Sequence, residues 1–355
     1  MKKFNQSINI GNKKIGPEEK VFIIAELSAN HNNNINRAKK VINAASQNGA
    51  DAIKFQTYTA DTITLKSDKP DFIIQGGLWD QRQLYDLYQE GSLPWEWHAE
   101  LFEYAKSLGL VIISTPFDES AVDFLVNLGV DALKIASFEL NHTPLIEYSA
   151  KKQLPLIIST GMASNNEIKE VVNIVSEINQ NLILLHCISS YPAKPEEYSL
   201  SSIQHLTKEF SSIVGLSDHC VDNLAASTSI ALGASVIEKH FTIDKSGGGL
   251  DDSFSLMPKD LLELRKNVDL VKKSLRKSVN GCSESEKKSL KFRRSIYASK
   301  TIKKGEKFSL RNIKIVRPSH GLHPRYFKKL LGKKSNRNID FAEPILMSDF
   351  KNEIL

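Results

Sequence analysis

Cysteine is scarce in this chain: three thiols in 355 residues, at Cys187, Cys220 and Cys282. So few, so widely spaced, they exclude a disulfide framework and a cysteine-based zinc site. Long apolar runs are missing too. None reaches the roughly 18 residues that cross a bilayer, so no membrane-spanning helix is expected. The first residues carry lysines but no apolar core, so no secretory signal is expected. No Gly-x-Gly-x-x-Gly turn follows the first apolar run, which weakens a dinucleotide-binding reading. The basic residues show no recognition-helix pattern, zinc-finger spacing or aromatic RNA-binding motif, so nucleic acid is not an expected partner. The hydrophobic and charged fractions, 41% and 25%, are those of ordinary globular proteins and exclude wholesale disorder. A reduced, cytoplasmic, enzyme-sized protein is the expectation.

The chain has charge of both signs, unevenly placed. Residues 281–355 hold 19 Lys+Arg and 7 Asp+Glu, whereas residues 1–280 hold 28 and 34. Two domains of opposite sign are expected, the basic one serving an anionic ligand or an acidic neighbouring subunit.

Eight short β-branched runs alternate with longer helical patterns: 21–26, 52–56, 110–115, 132–137, 154–160, 182–187, 213–219 and 235–241. Near-continuous apolar strands belong to a parallel sheet buried on both faces. Amphipathic stretches such as 35–48, 119–128, 165–178 and 222–232 lie between them, which predicts an α/β fold, a (β/α)8 TIM barrel, over residues 1–280. The interval 57–109 is unusually long and holds all three tryptophans. It reads as a specificity loop over the barrel mouth, as a packed extra helix pair, or as both. Residues 259–279 predict a charged amphipathic helix and 281–292 a polar linker. Residues 293–355 predict a small β-rich module.

Polar or ionisable residues sit at the end of every proposed strand. In order they are Glu26, Lys54 with Gln56, Thr115, Lys134 with Ser137, Ser159 with Thr160, His186, Ser217 with Asp218 and His219, then Glu238, Lys239 and His240. In a parallel barrel these ends converge on the face where active sites are built. Lys54 and Lys134 lie inside otherwise apolar strands, and a buried ammonium needs an anion. The structural explanation is a salt bridge to Glu26 or Glu238. The functional one is a bound phosphate or carboxylate, with Thr115, Ser137, Ser159 and Ser217 donating hydroxyls. A Schiff-base lysine is a third. His219 and His240 end neighbouring strands and can share one divalent cation, with Glu26 nearby. Alternatively, one is catalytic and the other structural.

The motifs IAELSANHN (24–32), IKFQTY (53–58), STPFD (114–118), LKIAS (133–137), STGM (159–162), HCISSYP (186–192), GLSDH (215–219) and EKHFT (238–242) together resemble the sialic acid synthase family. The tail, RRSIYASKTIKKGE (293–306) followed by RPSHGLHP (317–324), resembles that family's antifreeze-like SAF domain. The tryptophan-rich segment 78–98 and GGGLDDSFSLMP (247–258) are most similar to the branch that makes pseudaminic acid. Cys220 stands where the family usually has threonine, and GSLPW replaces a more usual Ala-Tyr-Thr-Pro-Trp.

The resemblance implies condensation of phosphoenolpyruvate (PEP) with an acetamido-sugar aldehyde to give a nine-carbon 2-keto acid and phosphate. For the pseudaminic branch that sugar is 2,4-diacetamido-2,4,6-trideoxy-L-altrose; N-acetylneuraminic or legionaminic acid synthesis, or a silent sugar-binding member, are the alternatives. It further implies that Lys54, Thr115, Lys134, Ser137, Ser159 and Ser217 hold PEP, and that His219 and His240 bind manganese or magnesium. Glu26 and His240 are the implied catalytic pair. Gln56, Tyr191, Asp251 and Arg317 are implied to contact the sugar, with Arg317 delivered across a domain-swapped homodimer.

Overall fold

The computed structural model describes residues 3–275 and 281–350. The chain divides into two compact units, Met1–Arg276 and Lys277–Leu355.

The first unit opens with a hairpin that no sequence pattern announces, β1 (Ile8–Ile10) against β2 (Lys13–Ile15). Eight parallel strands follow: β3 (Phe22–Glu26), β4 (Ala52–Thr57), β5 (Val111–Pro116), β6 (Ala132–Ile135), β7 (Leu156–Ser159), β8 (Leu182–Cys187), β9 (Ile213–Asp218) and β10 (Val236–His240). They close into a barrel, β10 pairing with β3, so the TIM-barrel expectation holds. All eight expected strands are present, with ends that differ from the expected ones by at most two residues.

The barrel's chemistry follows from the two-residue period of a strand. Residues pointing inward near the strand starts are apolar: Phe22 and Ile24, Ala52, Val111 and Ile113, Ala132, Ile157, Ile183 and Leu185, Ile213, Val236. They pack with Ile8, Ile10 and Ile15, so the hairpin plugs the lower end. Further along seven of the eight strands the same face turns polar, at Glu26, Lys54, Thr115, Lys134, Ser159, Ser217 and Glu238, and on β8 it ends at Cys187. The opposite set, including Ile23, Ile53, Ile112, Leu133, Ile158 and Leu184, packs outward in the larger core beneath the helices.

Those helices begin where a side chain can cap them. Asn34 accepts from the Arg37 amide at the start of Ile35–Gln47, and Asp118 accepts from the Ser120 and Ala121 amides at the start of Glu119–Asn127. Ser164 and Glu167 form a reciprocal capping box at the start of Asn165–Ile178. The expected charged helix spans Pro258–Ser274; the rest of that expectation, 276–279, lies outside the described residues, as does the boundary at 280.

The interval between β4 and β5 is not loose. It folds into helices Ala60–Ile63, Leu84–Gly91 and His98–Ser107, with a bridge between Ile73 and Gln83. Trp95 stacks on Phe124, ring centroids 4.6 Å apart, which is packing; Trp79 instead lines the cavity at the barrel mouth. The segment is thus in part a packed helical insert and in part a border of the barrel mouth.

In the second unit, β11 (Ser295–Ala298) pairs antiparallel with β12 (Ile313–Val316) over a core of Ile296, Ile302, Phe308, Ile313, Leu330, Ile339, Ile345 and Phe350. The segment expected as a linker carries a short capped helix, Glu284–Lys287. Its end is tied to this unit, since Ser319 donates to the carbonyls of Lys291 (3.1 Å) and Leu290 (2.9 Å).

Candidate active site

The polar ends of the inward-facing rows meet in a cavity of about 260 Å3 at the C-terminal face of the barrel. Its floor is an ion network. Lys54 Nζ pairs with Glu26 and lies 3.3 Å from Glu238 Oε1; it also donates to Thr115 Oγ1 at 3.3 Å. Lys134 Nζ donates to Ser159 Oγ at 2.7 Å and to the Ile135 carbonyl at 3.1 Å, and lies 3.9 Å from Glu238 Oε2. Ser217 donates to Glu238 Oε1 at 3.3 Å. Glu238 therefore lies between two lysines, so the salt-bridge explanation accounts for Lys54 and reaches Lys134 only at 3.9 Å.

These charges reshape one another. Burial works against the Lys54 ammonium, but Glu238 and Glu26 outweigh it and push the group up to about 12. Burial drives Lys134 downward, offset only in part by Glu238. Burial likewise opposes the Glu238 carboxylate, yet Lys134 and Lys54 hold it below the ordinary range. Glu26 goes the other way: complete burial and the charge on Glu238 raise it despite Lys54.

Beside this floor stand the two histidines, with ring centroids 5.5 Å apart. The Ile188 carbonyl accepts from His219 Nδ1 at 2.8 Å, which fixes a proton there and makes Nε2 the nitrogen left for a ligand. Burial and the neighbouring His219 and lysines hold His240 well below its usual value, hence neutral. Its Nδ1 is buried without a hydrogen-bond partner and faces Asp251 Oδ2 at 3.5 Å. Asp251 in turn accepts from Ser28 Oγ. Among the described residues no three His, Cys, Asp or Glu groups form a metal ligand set. Two buried imidazoles, one with an orphaned nitrogen, fit a divalent ion that takes its remaining ligands from water or substrate.

Most of the expected site residues come together. Lys54, Gln56, Lys134, Ser137, Ser159, Tyr191, Ser217, His219, His240 and Asp251 all line the cavity. Gln56 donates to Ser28 Oγ at 3.1 Å, and the Tyr191 ring lies 4.3 Å from that of His219. Ser137 Oγ accepts from the Gly161 amide at 3.1 Å; a Cβ on Gly161 would sit 2.3 Å from Ser189 Oγ, so only glycine lets this turn approach. Glu26 and Thr115 are buried behind the lining and reach it through Lys54. Arg317 is exposed in the second unit.

Four strand-end residues fall on the outer face instead. His186 bonds the Tyr198 carbonyl, Thr160 donates to the Leu185 carbonyl, and Lys239 pairs with Asp218 at 2.8 Å. Tyr198 Oη donates to Asp218 (2.6 Å) and accepts from the His219 amide (2.7 Å), so this cluster braces the turn that carries His219. Each is one residue out of step with an inward neighbour, and strand parity alone separates them. Two further lining residues carry no clear signal in the sequence. Burial raises the Glu139 carboxyl to about 7, and its Oε2 has no hydrogen-bond partner. Cys187 Sγ lies 4.0 Å from His219 Nδ1; burial raises the thiol, but His219 outweighs it and brings it to about 7.

A closed parallel barrel with an anion-ready floor and a histidine pair at its C-terminal face defines an enzyme of the (β/α)8 class. The NeuB family model matches residues 41–280 and the SAF domain model residues 293–351. A pseudaminic acid synthase of Campylobacter jejuni strain 81-176 is 47% identical over 348 residues, 97% of this chain and 100% of the relative. One from Helicobacter pylori is 40% identical, covering 94% and 98%. The crystal structure of the Bacillus subtilis spore coat polysaccharide biosynthesis protein spsE covers 98% of this chain and 100% of its own, at TM-score 0.67 and 34% identity. The chain belongs to the NeuB family, the sialic acid synthases, which condense PEP to make nonulosonic acids.

Proposed function

We propose that the protein condenses PEP with 2,4-diacetamido-2,4,6-trideoxy-L-altrose, giving pseudaminic acid and phosphate in the cytoplasm. The observation that carries this reading is the pair of buried ammonium groups, Lys54 and Lys134, ringed by hydroxyls under an otherwise largely apolar cavity. The near full-length identity to pseudaminic acid synthases supports the branch.

Lys54, Lys134, Ser137, Ser159 and Ser217 bind the PEP phosphate and carboxylate, with Thr115 fixing the Lys54 ammonium from behind. Ordered cations cost little reorganisation when a polyanion arrives. Carbon 3 of PEP attacks the sugar aldehyde, whose oxygen takes a proton and becomes a hydroxyl. Water adds to the cationic carbon 2, and the tetrahedral intermediate expels phosphate by breaking the carbon–oxygen bond. When bound by His219 and His240, a manganese or magnesium ion would supply Lewis-acid polarisation at the aldehyde. Glu26, whose carboxyl burial raises, serves proton transfer or water positioning at the Lys54 end of the floor. Gln56, Tyr191 and Asp251 orient the sugar. Arg317 reaches its acyl group from the basic unit of the second subunit in a domain-swapped homodimer.

PEP carrying 18O at the bridging oxygen tests this chemistry. With the altrose acceptor, the label should leave in phosphate. Label retained in the keto acid, or no product, would contradict the reading.

A further inference from the structure

The charged floor of the cavity and the histidines beside it are used by the proposed chemistry. The upper wall is different in kind. Helix Leu84–Gly91 contributes Leu84, Leu87, Tyr88 and Gly91 to the lining, spaced i, i+3, i+4 and i+7. One whole face of this helix therefore borders the cavity. Its Asp86, Gln89 and Glu90 are exposed on the other side. Leu250, from the loop that also carries Asp251, closes against this face: a Cβ on Gly91 would lie 3.2 Å from Leu250 Cδ1. A helix of eight residues that turns its apolar stripe toward a cavity rather than into the core has an amphipathic ligand to meet.

Resting on the proposed reaction, we infer that Leu84, Leu87 and Leu250 are specificity-determining residues that read the deoxy end of the acceptor sugar. The aldehyde carbon must lie at the floor, where PEP and the histidines are. Carbon 6, at the far end of the chain, then meets the upper wall. In the proposed acceptor that carbon is a methyl group. A sugar bearing a hydroxyl on carbon 6 would press that hydroxyl against Leu84, Leu87 and Leu250, which offer it no partner. Apolar pockets discriminate against an added hydroxyl by at most about a hundredfold, which sets the scale.

The test compares kcat/KM for 2,4-diacetamido-2,4,6-trideoxy-L-altrose with that for its 6-hydroxy analogue, in the unaltered protein and in Leu84→Gln. Leu84 is only partly buried, so the variant should fold; Leu84→Met serves as the conservative control. Leu84→Gln should lower the deoxy-to-hydroxy preference about tenfold, within the range set by such pockets, and leave the KM for PEP within about twofold. Leu84→Met should restore the preference. An unchanged preference, or equal loss for both sugars, would overturn the inference while leaving the proposed reaction standing. No turnover of the deoxy sugar by the unaltered protein would remove the reaction and the inference together.

Discussion

At the scale of single residues, the site is governed by which carboxyl groups keep their charge. Glu238 is held ionised by two lysines, whereas Glu139 has none in direct contact and an unpartnered oxygen, so burial lifts it to about 7. The consequence for stability has a definite sign. A carboxyl raised above its unfolded value of 4.5 costs nothing below that pH, destabilises progressively as pH rises from there to about 7, and adds no further loss above it. Glu139→Gln should therefore stabilise the protein at pH 8, by on the order of 1–3 kcal/mol, and do little at pH 4.5. Thermal melting at the two pH values checks this; an equal shift at both would mean that the carboxyl is not buried in charged form. Lys54, Lys134 and their hydroxyl neighbours are readable in the sequence because a lysine inside an apolar strand violates a strong rule. Glu139 is not, because it lies past a strand end in a short 3-10 turn, where a glutamate breaks no rule.

At the scale of elements, the alternation within β9 and β10 sorts function from scaffold. Ser217, His219, Glu238 and His240 point inward; Asp218 and Lys239 point out and join each other. The sequence shows both sets as polar strand ends, and only registered pairing assigns the faces. The loop carrying Leu250 and Asp251 has its own anchor. Asp252 accepts from Arg37 Nη2 (2.9 Å), from the Gly249 amide (2.6 Å) and from Thr242 Oγ1. Arg37 packs closely against Gly247, where a Cβ would lie 2.3 Å from its Nη2. Arg37→Met leaves the buried Asp252 carboxylate unpaired and should cost about 3–5 kcal/mol of stability. It should also raise the KM for the sugar acceptor well above its effect on the KM for PEP, because Asp251 and Leu250 shift while the floor stays intact. Steady-state kinetics in both substrates, on protein whose fold is checked by circular dichroism, decides the matter; equal changes in both KM values would disprove the anchor's role. The hairpin β1–β2 is not legible in the sequence because its three-residue strands are too short to show a period.

At the scale of the whole molecule, an acidic barrel unit and a basic β-rich unit divide the chain as the charge imbalance suggests. The barrel is legible because eight near-continuous β-branched runs leave few other architectures, and their polar ends mark the catalytic face in the amino-acid order itself. The resemblance to the pseudaminic branch lies elsewhere, in segment 78–98 of the long interval after β4 and in segment 247–258. The account's central claim is therefore best tested by acceptor-dependent phosphate release from PEP with manganese present. The acceptors to compare are the trideoxy-diacetamido-altrose, N-acetylmannosamine and the legionaminic acid precursor, each with and without a chelator. The account predicts release only with the altrose sugar, abolished by the chelator. Release with a different acceptor, or release that survives chelation, would contradict it.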